Sequence, residues 1–282
     1  VEQNDTLRMK ARSVERHQRT RVFAVASGKG GVGKTNVVAN LAFALTTLRM
    51  NVLVMDADLS LGNLDILLGL TPQYTMEHLF LGSKSLQEVI IEGPGGMRIL
   101  PASSGAQQLT NLSAEQQLAL LTEIDSLVEP VDMMLIDTGP GISANVLYFT
   151  LAAQEIIVVT CPEPMAIANA CAFMKVLACE HGHRKFQLLV NAATTAQEAE
   201  MVFQKLQHAT QQVLNIEIYP LGWIPHDIHV QKAVRQQKAV VERYPNAQSS
   251  RAFLQLAMVI CALPPLTLPS GQIQFFWQQL FR

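Results

Sequence analysis

The chain has 282 residues, a formal net charge of -2 and a mean hydropathy of +0.20. That length suits one large or two small domains with a full core, and the near-balanced charge excludes a global attraction to nucleic acid or to an anionic membrane. No apolar run approaches the ~18 residues of a membrane span, and no secretory leader pattern opens the sequence. Cys161, Cys171, Cys179 and Cys261 lack C-x-x-C spacing. They are predicted to be buried thiols in a reducing, cytoplasmic setting.

Residues 1–20 form a polar, basic arm. Arg8, Lys10, Arg12, Arg16 and Arg19 stand against Glu2, Asp5 and Glu15, and Leu7, Ala11 and Val14 would line a weak helical face. Read alone, the arm is either a disordered terminus or a helical recognition segment.

Residues 22–35, VFAVASGKGGVGKT, open the domain proper. Val22 to Ala26 reads as a buried strand, and Gly28 to Thr35 fits G-x-x-x-x-G-K-[ST], a phosphate-binding loop. Glycines let backbone N–H groups converge on phosphate oxygens, and the helix starting at about Lys34 adds the positive end of its dipole. The nucleotide-binding set is then Gly28, Gly30, Gly31, Val32, Gly33, Lys34, Thr35 and Asn36. Lys34 is expected on the β- and γ-phosphates and the Thr35 hydroxyl on Mg²⁺. Lys29 is surplus to the pattern. It is either a solvated loop lysine or a charge that reaches the phosphates of a second subunit, as an arginine finger does.

After helix 34–48, the apolar strand 52–56 ends in Asp56-Ala57-Asp58. Two carboxylates at a strand end face the phosphate loop, one to hold Mg²⁺ through water and one to orient the attacking water. Short helices are predicted at 75–81 and 86–90, a turn at 93–96, a strand at 97–101 and a loop at 102–105. A helix over 113–128 has Leu118, Leu121, Ile124 and Leu127 at its apolar spacing, with Ser113 and Gln116 as a capping box. The strand 133–137 ends in Asp137, then Thr138-Gly139-Pro140-Gly141. An apolar strand ending in Asp, then Gly, places Asp137 in the Mg²⁺ shell and the Gly139 amide near a γ-phosphate.

Strand 155–160, helix 165–179, strand 186–191, helix 196–213 and strand 216–225 follow, then helices at 228–239 and 247–262. Asn191 ends its strand on the ligand edge, as a turn residue or a base contact. His226, Asp227 and His229 lack a further ligand for a metal cluster. From Leu263 the chain becomes a proline-rich linker. It leads to GQIQFFWQQLFR, in which Ile273, Phe276, Trp277, Leu280 and Phe281 share one helical face. That face suits either packing on the domain or insertion into a membrane surface, mostly hydrophobic because the polar face is rich in glutamine.

Gly28-Lys29-Gly30-Gly31-Val32-Gly33-Lys34-Thr35 resembles the deviant phosphate loop of the MinD/ParA family of dimerising ATPases. The resemblance implies a slow ATPase using ATP and Mg²⁺, with Lys29 acting across an ATP-dependent homodimer. The segment 56–69, DADLSLGNLDILLG, resembles the family's first switch, which implies Asp58 as the water-orienting residue and Asp56 nearer the metal. The same resemblance implies that Asn191 recognises adenine, that Pro225 packs around the base, and that the tail targets the inner membrane.

Within the family, Glu2-Gln3 followed by Leu7-Arg8 resembles the activator motif of the FlhG branch (also called FleN), with Glu2 and Asn4 departing from the usual Asp and Ala. That branch regulates flagellar number. It implies that Gln3, Leu7 and Arg8 engage the signal-recognition-type GTPase FlhF, with flagellar switch or C-ring proteins or a flagellar transcription regulator as further partners. The expected organisation is an arm at 1–20, an ATPase domain at 21–262, and a linker with an amphipathic helix at 263–282. The expected fold is α/β, a mostly parallel central sheet flanked by helices. Competing readings are a MinD-type division-site or cargo-positioning ATPase and a ParA-type partition ATPase. The last would need a basic stripe such as Lys232, Arg235, Lys238 and Arg243.

Overall fold

Strands that are apolar on both faces need cover on both faces, and the protein supplies it. The computed structural model describes residues 20–59, 62–102, 112–125, 127 and 129–264. Its strands are β1 (Arg21–Ala26), β2 (Val52–Ala57), β3 (Ile91–Glu92), β4 (Arg98–Leu100), β5 (Met133–Thr138), β6 (Glu155–Thr160), β7 (Lys185–Ala193) and β8 (Glu217–Pro225). They form an 8-stranded sheet in the order β3-β4-β2-β5-β1-β6-β7-β8. Every pairing is parallel except the short antiparallel β3–β4 contact at one edge.

Alternation along the strands divides the core in two. Phe23, Val25, Val54, Leu135, Ile157 and Leu189 face one layer. That layer is built from α1 (Lys34–Thr47), α9 (Ile228–Arg235), α10 (Val240–Arg243) and α11 (Gln248–Ala262). Val22, Ala24, Met55 and Ile136 face the opposite layer. Its helices are α3 (Met76–Phe80), α4 (Leu86–Val89), α5 (Ala114–Asp125) and α6 (Ala144–Leu151), continued by α7 (Pro164–His181) and α8 (Ala196–Leu214). A short α2 (Leu64–Leu68) follows β2 at the ligand edge. The expected α/β fold with a mostly parallel, helix-flanked sheet is therefore present.

Several local expectations need correction. The helix expected over 228–239 stops at Arg235, because the chain turns through Gln237 with φ 54. Leu118 is exposed, and Leu120 fills the core position beside Leu121 and Ile124. The Ser113–Gln116 capping box is formed, with Ser113 N–H donating to Gln116 Oε1 at 2.9 Å and Gln116 N–H to Ser113 Oγ at 3.3 Å. The cysteines are free, but they are not buried. Cys161 and Cys171 are half-buried, while Cys179 and Cys261 are exposed. The arm with Gln3, Leu7 and Arg8, the tail with Ile273, Phe276, Trp277, Leu280 and Phe281, and most of the 102–105 loop lie outside the described residues.

Two polar clamps close the last-helix layer. At the start of β1, Arg21 pairs with Glu155, and its Nη1 donates to the carbonyls of Ile260 at 2.7 Å and Leu263 at 3.0 Å, capping α11. The His226-Asp227-His229 cluster also proves structural. Asp227 Oδ1 accepts the His229 N–H at 2.9 Å, and Oδ2 accepts Ser249 N–H at 3.1 Å and Oγ at 2.8 Å. No group of metal-ligating side chains forms among the described residues.

One carboxylate thus ties the starts of α9 and α11 together. Burial works against its charge, but the bonds from His229 and Ser249 prevail and hold its pKa at about 2, below the ordinary 3.8. A depressed carboxylate pKa stabilises the fold fully above the unfolded value and loses that contribution as pH falls through about 4 toward 2. Asp227→Ala is expected to cost about 2 kcal/mol at neutral pH. The corresponding fall in Tm is roughly 4–8 °C for a domain of this size. Thermal melts of both proteins should converge as pH falls toward 2, and a constant gap would refute the linkage.

Candidate nucleotide-hydrolysis site

The C-terminal ends of the parallel strands gather the predicted residues at one edge, as open α/β sheets do. β1 runs into the phosphate loop, which ends at Gly33, the N-cap of α1 with φ 89. Only glycine fits at two points here. A Cβ on Gly28 would lie 2.0 Å from the Asn169 carbonyl on α7, and one on Gly33 would lie 2.4 Å from Asn191 Nδ2. Asn191 uses that close approach to donate to the Val32 carbonyl at 2.8 Å. The residue expected at the base therefore also braces the phosphate loop. Pro225 ends β8 in register with Ala193 of β7, which brings it to the same side as Asn191.

Lys34 is buried and donates to Ser27 Oγ at 2.9 Å, and Ser27 in turn donates to the Lys29 carbonyl at 2.8 Å. Sequence reasoning passed over Ser27, although it sits directly before Gly28. Burial lowers the Lys34 pKa, while Asp137 and Asp58 pull it back up. A partly desolvated ammonium aimed along the loop is suited to phosphate oxygens, whose charge replaces lost hydration.

Asp56 and Asp137 lie opposite one another on the adjacent strands β2 and β5. Their roles differ. Asp56 accepts the Asp58 N–H on Oδ1 at 3.1 Å and the Leu64 N–H on Oδ2 at 3.2 Å, so both its oxygens are engaged by backbone groups. Burial, with Asp137 beside it, raises its pKa well above the ordinary value. Asp137 is pushed to about 7, chiefly by burial, against the opposing pull of the Thr35 hydroxyl and Lys34. Its Oδ1 is buried with no hydrogen-bond partner. An orphaned carboxylate oxygen beside a threonine hydroxyl at a strand end is the hard, oxygen-rich donor set that a divalent cation completes. The residues fit Mg²⁺ through Thr35 and Asp137. Asp56, its oxygens already engaged by backbone N–H groups, shapes the wall behind them.

Asp58 stands against the second carboxylate-bearing turn. Its Oδ1 is 3.4 Å from the position of a Cβ on Gly139, and its charge is felt at both Lys34 and Asp137. The phosphate loop, the Thr35–Asp137 pair, the Gly139 turn, tied to the loop by the Gly141 N–H on the Ser27 carbonyl at 3.0 Å, and the Asp58 carboxylate thus share one locus. Lys29 points away along the surface, where its Nζ meets Glu163 Oε2 at 2.7 Å. Glu163 was not anticipated, because 134 residues separate it from Lys29.

A glycine loop on a helix start, a strand-end aspartate and a second aspartate against the Gly139 turn define a phosphate-loop nucleoside triphosphatase. The ParA profile, described as NUBPL iron-transfer P-loop NTPase, matches residues 18–261. The chain is 42% identical to the antiactivator FleN of Pseudomonas aeruginosa over 259 residues, covering 92% of each protein. It is 30% identical to the flagellum site-determining protein YlxH of Helicobacter pylori over 269 residues, 93% of this chain and 90% of that one. The structure of MinD with Mg-ADP from Pyrococcus horikoshii aligns with a TM-score of 0.69 at 26% identity, covering 86% of this chain and 96% of that chain. The chain belongs to the MinD/ParA family of phosphate-loop ATPases and is an ATP-hydrolysing enzyme.

Proposed function

We propose that this ATPase regulates flagellar number or placement. The observation that carries the reading is the near full-length likeness to FleN, in which 42% of 259 aligned residues are identical. In this reading ATP and Mg²⁺ bind at Gly28–Asn36, Thr35 and Asp137, and two copies close over the nucleotides. The tail residues Ile273, Phe276, Trp277, Leu280 and Phe281 then attach the dimer to the inner membrane. The arm, through Gln3, Leu7 and Arg8, engages a flagellar GTPase of the signal-recognition type.

MinD-type positioning is the second reading, supported by the 26% identity to the Pyrococcus protein. The DNA-partition reading is weaker. Of its candidate stripe, Lys238 is paired with Glu242 at 2.6 Å and Arg243 donates to Gln236 at 2.7 Å.

The test is capture of the purified GTPase FlhF by the full chain loaded with a non-hydrolysable ATP analogue. Wild type should retain it and raise its GTP hydrolysis. Leu7→Ala with Arg8→Ala should lose both effects while keeping its own ATPase. No capture by wild type refutes the flagellar reading. In parallel, sedimentation with anionic liposomes should show ATP-dependent pelleting that Phe276→Glu abolishes.

A further inference from the structure

The short helix α2 lies between the water-orienting aspartate and a turn on the far side of the last-helix layer. Its N-terminal end is fixed by the metal-side strand, through Leu64 N–H donating to Asp56 Oδ2 at 3.2 Å. Its C-terminal end is fixed by a residue distant in sequence. Gln237 Nε2 donates to the Ile66 carbonyl at 3.0 Å. A Cβ on Gly69, which follows α2 with φ 66, would lie 3.3 Å from both the Gln237 Cβ and the Gln237 carbonyl oxygen. The two turns therefore meet backbone to backbone.

Gln237 itself has φ 54, a left-handed conformation that glycine or asparagine adopts at lower cost. A chain selected only for stability has cheaper residues for that turn. Glutamine combines the turn with a side chain long enough to reach Ile66. A strained residue kept in place beside a catalytic segment points to function. The turn also hangs from α9, whose N-cap Asp227 lies two residues after Pro225.

We propose that Gln237 is a positioning residue for ATP hydrolysis: by holding the C-terminal end of α2, it sets the place of Leu64, whose N–H shares the Asp56 carboxylate with the Asp58 N–H, and hence the stance of the Asp58 carboxylate. It touches no substrate. Asp56 holds that helix from one side, and Gln237 holds it from the other. Leu64 and Leu68 seat the helix on the core, and the two hydrogen bonds fix where its two ends lie.

The test uses the full chain with Mg²⁺ and ATP. Gln237→Asn keeps a residue that tolerates the left-handed turn but shortens the side chain beyond reach of Ile66. Gln237→Gly removes the side chain and relieves the backbone. Both should lower kcat by roughly three- to tenfold, the range that one side-chain hydrogen bond supports. KM for ATP and the dimer formed with a non-hydrolysable analogue should be unchanged, and Tm should hold in both variants. Wild-type kcat in both variants overturns the proposal. A loss of kcat that comes with a raised KM, a lost dimer or a lowered Tm also overturns it, because it makes the contact a structural one.

Discussion

Lys29→Ala is expected to remain a monomer in the presence of a non-hydrolysable ATP analogue, while wild type shifts to a dimer on gel filtration. Lys34 already satisfies the phosphate loop from within, donating to Ser27 Oγ 2.9 Å away at the loop's start. Lys29 instead projects to the surface, where its side chain is 37% exposed and its partner Glu163 is 61% exposed. An ion pair so open to water contributes little, so the lysine leaves it at small cost. Its hydrogen bond to Glu163 raises its pKa while the pair holds, and without that bond a lysine still titrates far above neutral pH, so it leaves as an ammonium. A second subunit brings a triphosphate of high charge density, a far stronger partner in a closed interface. The variant should still bind a fluorescent nucleotide, and its turnover should fall with the dimer. An intact dimer of Lys29→Ala removes the trans role.

Asp58→Ala is expected to lower turnover by roughly 10²-fold, the usual range for a positioned acid–base group, while ATP binding persists. The reason lies in the separation of the carboxylates. Asp58 acts on Asp137 as a nearby negative charge that raises its pKa. Removing it favours the ionised Asp137 and so does not weaken the cation site. Asp137→Ala should behave in the opposite way and lose Mg²⁺-dependent nucleotide binding. Single-turnover hydrolysis and nucleotide titration together distinguish the two. Wild-type turnover in Asp58→Ala removes that residue from the mechanism, and lost ATP binding makes it part of the cation site instead.

The site was legible in the sequence to the extent that it is local. Gly28 to Thr35 lie in one loop, and Asp56 and Asp137 each close an uninterrupted apolar run, with Asp58 two residues further on, so spacing places them at one edge. What escaped depends on long-range approach. Glu163 meets Lys29, and Asn191 meets Val32, across more than a hundred residues, and nothing in either neighbourhood announces the partner. The turn at Gln237 was hidden because glutamine carries no turn signal, so the apolar period of α9 ran on past its true end. The cysteines misled for a related reason. Cys179 and Cys261 sit in helices rich in apolar residues, yet they occupy the outward side of those helices. The alternation of α and β elements, by contrast, fixes the sheet's class, because a parallel strand buried on both faces has no polar positions to confuse the pattern.

The Arg21 clamp bears on how the molecule is made. The strand that carries the phosphate loop is made more than two hundred residues before α11, yet its first residue is bonded to carbonyls at positions 260 and 263. α1 likewise finds its main helical neighbour in α11. Contacts between such distant parts of a chain close slowly, because the loop entropy is spent before the contact repays it. During translation, the part of α1 that faces α11 stays bare until α11 has been made, although the sheet already covers the rest. A nascent chain stalled before residue 260 would present chaperones with an unsealed core.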